Sequence, residues 1–129
     1  HYLNAIKLQP LKEKYGVFDL LYHFKGSVLE CPRNNFFIFK DKVLITAGDD
    51  VLKGVTRKKI LELAAGVFEV QERRLTLAEL WEADEAFISG TTKRIIPVVK
   101  IDDQQIGDGQ VGECTQKLIQ VFDQYIEAL

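Results

Sequence analysis

With 129 residues, 17 basic and 19 acidic side chains and a formal net charge of −2, the chain has the size of one domain with one core, and no charge excess that would draw nucleic acid or an anionic membrane. No apolar stretch has the length of a membrane span or the flanks of a signal peptide, so a cytoplasmic protein is expected. The two cysteines, Cys31 and Cys114, stand far apart with no second cysteine or histidine at metal-ligand spacing, and His1 and His23 are the only histidines; a metal centre or a nucleophilic triad has little to build on, and both thiols are expected to be reduced.

His1 to Tyr15 places Leu3, Ile6, Lys7, Leu8 and Leu11 at a roughly helical period, interrupted by Pro10 and stopped by Gly16, which predicts a helix. Phe18 to Phe24 and Ser27 to Glu30 flank the turn signal Lys25-Gly26, and Asn35 to Phe39 and Val43 to Thr46 flank Lys40-Asp41-Lys42. Two hairpins are expected, making the first half mostly β. Thr56 can N-cap a helix over Arg57 to Ala65 that buries Ile60, Leu61, Leu63 and Ala64 and stops at Gly66. Val67 to Leu75 reads as a strand, and Thr76-Leu77-Ala78-Glu79 matches the capping box of a short helix through Glu82. Phe87 to Ser89 and Val98 to Ile101 read as strands, Asp102-Asp103 as a turn. Cys114 to Leu129 reads as an amphipathic helix carrying Leu118, Ile119, Val121, Phe122, Tyr125, Ile126 and Leu129. The pattern is one mixed α/β or α+β domain without regular βαβ alternation.

Two short segments could hold an anion. At Gly54-Val55-Thr56 the unpaired amides of a helix start, its dipole and a hydroxyl come together, although Thr56 also suffices as an ordinary cap. At Ser89-Gly90-Thr91-Thr92 a strand runs into a small-residue loop with three hydroxyls, which can form an anion nest or a plain polar turn. Two such grips in one small domain point to a phosphorylated ligand. Glu30 ends a strand beside the irregular insert Cys31-Pro32-Arg33-Asn34-Asn35, where its carboxylate can hold a proton on a ring nitrogen or pair with Arg33.

Taken in order, Glu30 to Phe37, Leu52 to Arg57, Ala83-Asp84-Glu85 through Gly90-Thr91-Thr92 to Pro97-Val98, and Ile106-Gly107-Asp108-Gly109 with Gly112 and Thr115 resemble the class IV aminotransferases, fold type IV of the pyridoxal-phosphate enzymes. The resemblance covers nearly the whole chain. It implies an α+β fold of the D-amino-acid aminotransferase-like type, a mixed sheet or pseudo-barrel with flanking helices, and pyridoxal 5'-phosphate as cofactor. The implied reaction passes an amino group between an amino acid, of the branched-chain or D-amino acid class, and a 2-keto acid in a homodimeric enzyme. A lyase similar to aminodeoxychorismate lyase, or a non-catalytic domain that keeps the fold, is the alternative.

By that resemblance Glu30 faces the pyridine nitrogen, where a protonated ring is the better electron sink. Val55 and Thr56 form one side of the phosphate cup and Thr91 the other, Gly90 permits close approach, and Leu52 packs on the ring. Tyr2 approaches the ring hydroxyl or is simply a packed aromatic. Thr92 lies where the loop turns toward the substrate carboxylate, and Arg33 either approaches that carboxylate or forms a salt bridge on the rim.

In the family the Schiff-base lysine stands a few residues before the segment that His1-Tyr2-Leu3 resembles. Lys7 falls on the wrong side of that motif, and the other lysines have no matching context. Residues 1–129 are therefore expected to be the larger, C-terminal domain of a longer enzyme, lacking the smaller N-terminal domain and the reactive lysine just upstream of His1, and to be inactive alone. Cys31-Pro32 and Lys93-Arg94 depart from the patterns usual in the family and leave the substrate open.

Overall fold

Phe36-Phe37-Ile38-Phe39 and Ala86-Phe87-Ile88 carry apolar side chains at successive positions, so strands built from them must be covered on both faces. A computed structural model of the chain covers them so. It describes residues 4–10, 19–24, 27–30, 34–47, 55–90, 95–102 and 104–129, with side chains from 35–47, 56–89, 95–102 and 104–129. Strands β1 (Asn4–Pro10), β2 (Asp19–Phe24), β3 (Ser27–Glu30), β4 (Asn34–Lys40), β5 (Val43–Thr46), β6 (Glu69–Glu72), β7 (Leu75–Thr76), β8 (Glu85–Gly90) and β9 (Ile95–Ile101) form one sheet in the order β6-β5-β4-β8-β9-β1-β2-β3-β7, and β10 (Gln104–Gln105) pairs with β9. The β5–β6 pair is parallel, bridged by helix α1 (Val55–Ala65); the other described pairs are antiparallel. Helices α2 (Leu77–Trp81) and α3 (Glu113–Glu127) complete an α+β domain.

Successive side chains of a strand point to opposite faces, so the sheet divides the single core expected from length into two layers. Phe36, Ile38, Ile45, Ala86, Ile88 and Val98 pack with Leu75 and with Leu80 of α2. On the other face Phe37, Phe39, Leu44 and Phe87 pack against Ile60, Leu61 and Ala64 of α1 and Cys114, Leu118 and Phe122 of α3. Phe37 and Phe87, opposite each other in the β4–β8 register, stack with centroids 4.6 Å apart and planes 12° from parallel. This aromatic pair joins the two central strands beneath both helices.

Several expectations need correction. The helix predicted over His1 to Tyr15 is a strand where it is described: Asn4–Pro10 pairs with β2 on one side and β9 on the other, with an irregularity at Gln9/Pro10. Ile6 and Leu8 alternate with Lys7 and Gln9, and this period of two outweighs the looser helical spacing once two ladders can form. Helix α1 begins at Val55, so Thr56 is its second residue and not its cap. The strand predicted over Val67 to Leu75 is split, because the chain leaves β6 after Glu72 and re-enters the sheet elsewhere as β7 beside β3. The buried face of α3 is Cys114, Thr115, Leu118 and Phe122; Ile126 and Leu129, expected on it, are 44% and 83% exposed.

The short α2 stands on local polar chemistry. Thr76 Oγ1 accepts from the Glu79 amide at 3.1 Å, and the Thr76 amide donates to Glu79 Oε1 at 3.1 Å, which closes the capping box. Arg73 forks onto the same carboxylate, Nη1 to Oε1 at 3.0 Å and Nη2 to Oε2 at 2.6 Å. The Arg73 hydrogen bond, with smaller help from Thr76, holds the Glu79 carboxyl below its ordinary range against the opposing effect of burial. A depressed folded-state pKa stabilises the fold above the ordinary glutamate range, and that contribution fades as the pH falls through the depressed value. Glu79→Ala is expected to cost about 1 kcal/mol at neutral pH. Urea midpoints of wild type and variant should converge as the pH is lowered toward about 3, below the ordinary glutamate pKa.

Candidate active site

The β4–β8 register gathers the candidate residues at one end of the sheet. Asn34 lies opposite Gly90 and Asn35 opposite Ser89, so the start of β4 and the finish of β8 coincide. β5 returns to the same end, where Thr46 Oγ1 donates to the Phe36 carbonyl at 2.7 Å. β3 reaches it at Glu30, four positions before Asn34. The first turn of α1 is tied there by Arg57, 3% exposed, whose Nη2 donates to the Ala47 carbonyl at 3.0 Å and to Glu72 Oε2 at 3.1 Å. A buried guanidinium thus fixes where the free amides of α1 lie relative to the strand ends.

Of the residues singled out in the sequence, Glu30 is the last residue of β3, Val55 and Thr56 open α1, and Gly90 is the last of β8. All four stand at this end. Tyr2, Arg33, Leu52, Thr91 and Thr92 lie outside the described residues, Thr91 directly following Gly90 in the chain. One side chain at this end, that of Arg57, was not singled out as a ligand. Arg57 carried a usable signal, a basic residue in the first turn of a helix, where acidic ones are favoured by the dipole. Ser89 opens the segment whose three hydroxyls can form an anion nest or a plain polar turn; it is fully buried, and its Oγ has no hydrogen-bond partner among the described residues.

A phosphate monoester fits this set of groups. The first turn of α1 holds no acidic residue, its first amides have no partner within the helix, and its guanidinium is engaged by the Ala47 carbonyl and the Glu72 carboxylate. An orphaned buried hydroxyl at the end of β8 adds a donor, and the field at this end favours a dianion.

The acidic and glycine-rich motifs, by contrast, build the scaffold. Glu85 accepts from the amides of Cys114 at 3.2 Å and Thr115 at 2.7 Å, so it caps α3 from across the sheet. The helix's own N-cap, Gly112, has no side chain to do so, and a Cβ there would fall on the Glu85 carboxylate. Gly107, at φ +56°, leaves room for the Asp84 carbonyl. Asp84 in turn accepts from the Asp41 amide at 2.9 Å and draws in Lys40 Nζ at 3.6 Å, closing the β4–β5 turn. The Cys114 thiol is free and buried, and its pKa is pushed up to about 11, first by burial and then by the Glu85 charge, which makes it a poor nucleophile. Glu85→Ala leaves two amides of α3 without an acceptor and is expected to cost about 1–2 kcal/mol, read as a lowered urea midpoint.

A mixed sheet buried on both faces, with a helix start, a strand-end glycine and a carboxylate collected at one end, defines an α+β domain. Residues 1–101 match the model of amino-transferase class IV, and the chain belongs to that family. It is 42% identical over 128 residues, 95% of its length, to a putative branched-chain-amino-acid aminotransferase of Methanocaldococcus jannaschii, covering 44% of that protein. It is likewise 42% identical over 123 residues to a D-alanine aminotransferase of Listeria monocytogenes, covering 93% of the chain and 43% of the relative. Among solved structures, a branched-chain amino acid aminotransferase with pyridoxamine 5'-phosphate superposes with a TM-score of 0.80 at 30% identity, over 89% of the chain and 39% of the other. The branched-chain enzyme of Escherichia coli gives 0.76 at 35%, over 86% and 39%. The chain spans less than half the length of these relatives.

Proposed function

We propose that this chain is the larger, cofactor-binding domain of a pyridoxal-phosphate aminotransferase that passes an amino group between an amino acid, branched-chain or D-configured, and a 2-keto acid. The observation that carries this is the meeting of Glu30, the start of α1 and Gly90 at one end of the sheet, in a chain of the class IV family. The structural relative with pyridoxamine 5'-phosphate supports the choice of cofactor. A cytoplasmic homodimer is part of the same reading; no described helix is long and apolar enough to cross a membrane.

When bound, pyridoxal phosphate supplies an electron sink for removal of the substrate's Cα proton. Glu30 holds the proton on its ring nitrogen. The amides of Val55 and Thr56 and the Thr56 hydroxyl bind the phosphate from the α1 side, where the dipole adds to their donation, and Thr91 binds it from the β8 side. Gly90 lets the backbone come close, Leu52 covers one face of the ring, and Tyr2 meets the ring hydroxyl. Thr92 and Arg33 orient the substrate carboxylate, Arg33 as a charge-assisted partner. The reactive lysine, together with a smaller domain over the other face of the ring, comes from sequence outside residues 1–129.

Protein made from the complete reading frame that contains these residues is expected to form a new amino acid from a 2-keto acid acceptor when given leucine, valine or D-alanine as donor. Residues 1–129 alone are expected to give no turnover. Absence of any new amino acid from the complete protein overturns the transaminase reading, and turnover by residues 1–129 alone overturns the external lysine.

A further inference from the structure

Two described hydroxyls are buried without a partner, those of Ser89 and Thr115. They sit at opposite ends of β8. Thr115 lies in the first turn of α3, whose amides Glu85 holds at the start of the strand. Ser89 is one residue from the strand's finish, opposite Asn35 and Ile95, at the end where α1 begins. Its side chain leaves the strand on the same face as Phe87, the face against which α1 packs. An unsatisfied buried hydroxyl carries a desolvation penalty that native structures relieve with water, an ion or a ligand.

Resting on the pyridoxal-phosphate reading above, we propose that the Ser89 hydroxyl donates to a phosphate oxygen of the cofactor at the start of α1, as a phosphate ligand additional to Val55, Thr56 and Thr91. Two features favour an anionic acceptor. The first turn of α1 contains no carboxylate, its own guanidinium being engaged by Ala47 and Glu72, and Gly90 removes a side chain beside Ser89. The hydroxyl is also held on a central strand, whose backbone is paired on both sides through Ser89, so it is oriented before the ligand arrives. A dianionic oxygen is a stronger acceptor for it than a neutral carbonyl.

The test is Ser89→Ala, with Ser89→Cys as a second variant of similar volume, in protein made from the complete reading frame. Dissociation constants are measured by fluorescence titration for pyridoxal phosphate and for pyridoxal, which lacks the phosphate, and the thermal midpoint is measured without ligand. The expected result is about a tenfold or greater weakening of pyridoxal phosphate, unchanged binding of pyridoxal, and a ligand-free midpoint no lower than wild type. Equal weakening of both ligands, or a lowered ligand-free midpoint, marks Ser89 as a hydrogen-bonded structural residue and overturns the proposal. Unchanged affinity of the variants for pyridoxal phosphate overturns it while leaving the cofactor reading intact, whereas failure of the wild type to bind pyridoxal phosphate overturns both.

Discussion

The pairing of β4 with β8 is the constraint on which the rest of the structure depends. Six residue pairs, from Asn34↔Gly90 to Phe39↔Glu85, lock these strands. Because both faces of the pair are buried, a slip of β4 by one residue would put Phe36 in place of Phe37 opposite Phe87 in the layer under α1 and α3. The stacked Phe37–Phe87 pair resists that slip. The same register carries chemistry at both ends of β8. At one end it sets Ser89-Gly90 beside the start of β4; at the other it presents Glu85 to the amides of α3.

Much of this fold was legible in the sequence where local rules and tertiary demands agree. The capping box at Thr76 and Glu79, the hairpin around Asp41-Lys42 and the doubly apolar central strands are such places. Reading failed where partners distant in sequence decide the outcome. Residues 4–10 are a strand because β2 and β9 flank them, which no local window contains. Ile126, one residue from the end of α3, is 44% exposed. At the candidate site the motif order named Glu30, Val55, Thr56 and Gly90, which the fold brings to one end of the sheet, but the tertiary bonds of Arg57 to Ala47 and Glu72 have no sequence signature.

Residue type alone also misleads about labour. Asp84 and Glu85, part of the segment that resembles the family, are both engaged with backbone amides, one at the β4–β5 turn and one at the start of α3. Gly107 and Gly112 are required by the close approach of Asp84 and Glu85. Polar groups with chemistry still to offer stand at the other end of β8. There the Ser89 hydroxyl has no partner among the described residues, and Arg57 ties the first turn of α1 to the Ala47 carbonyl and the Glu72 carboxylate.

The proposed separation, with a scaffold at one end of the β4–β8 pair and an anion cup at the other, is tested most directly by a crystal structure of the protein with pyridoxal phosphate bound. Phosphate oxygens are expected within hydrogen-bond reach of the Val55 and Thr56 amides and of the Ser89 hydroxyl, with the ring nitrogen at Glu30. A phosphate seated beside the start of α3, or a ring whose nitrogen points away from Glu30, would contradict it.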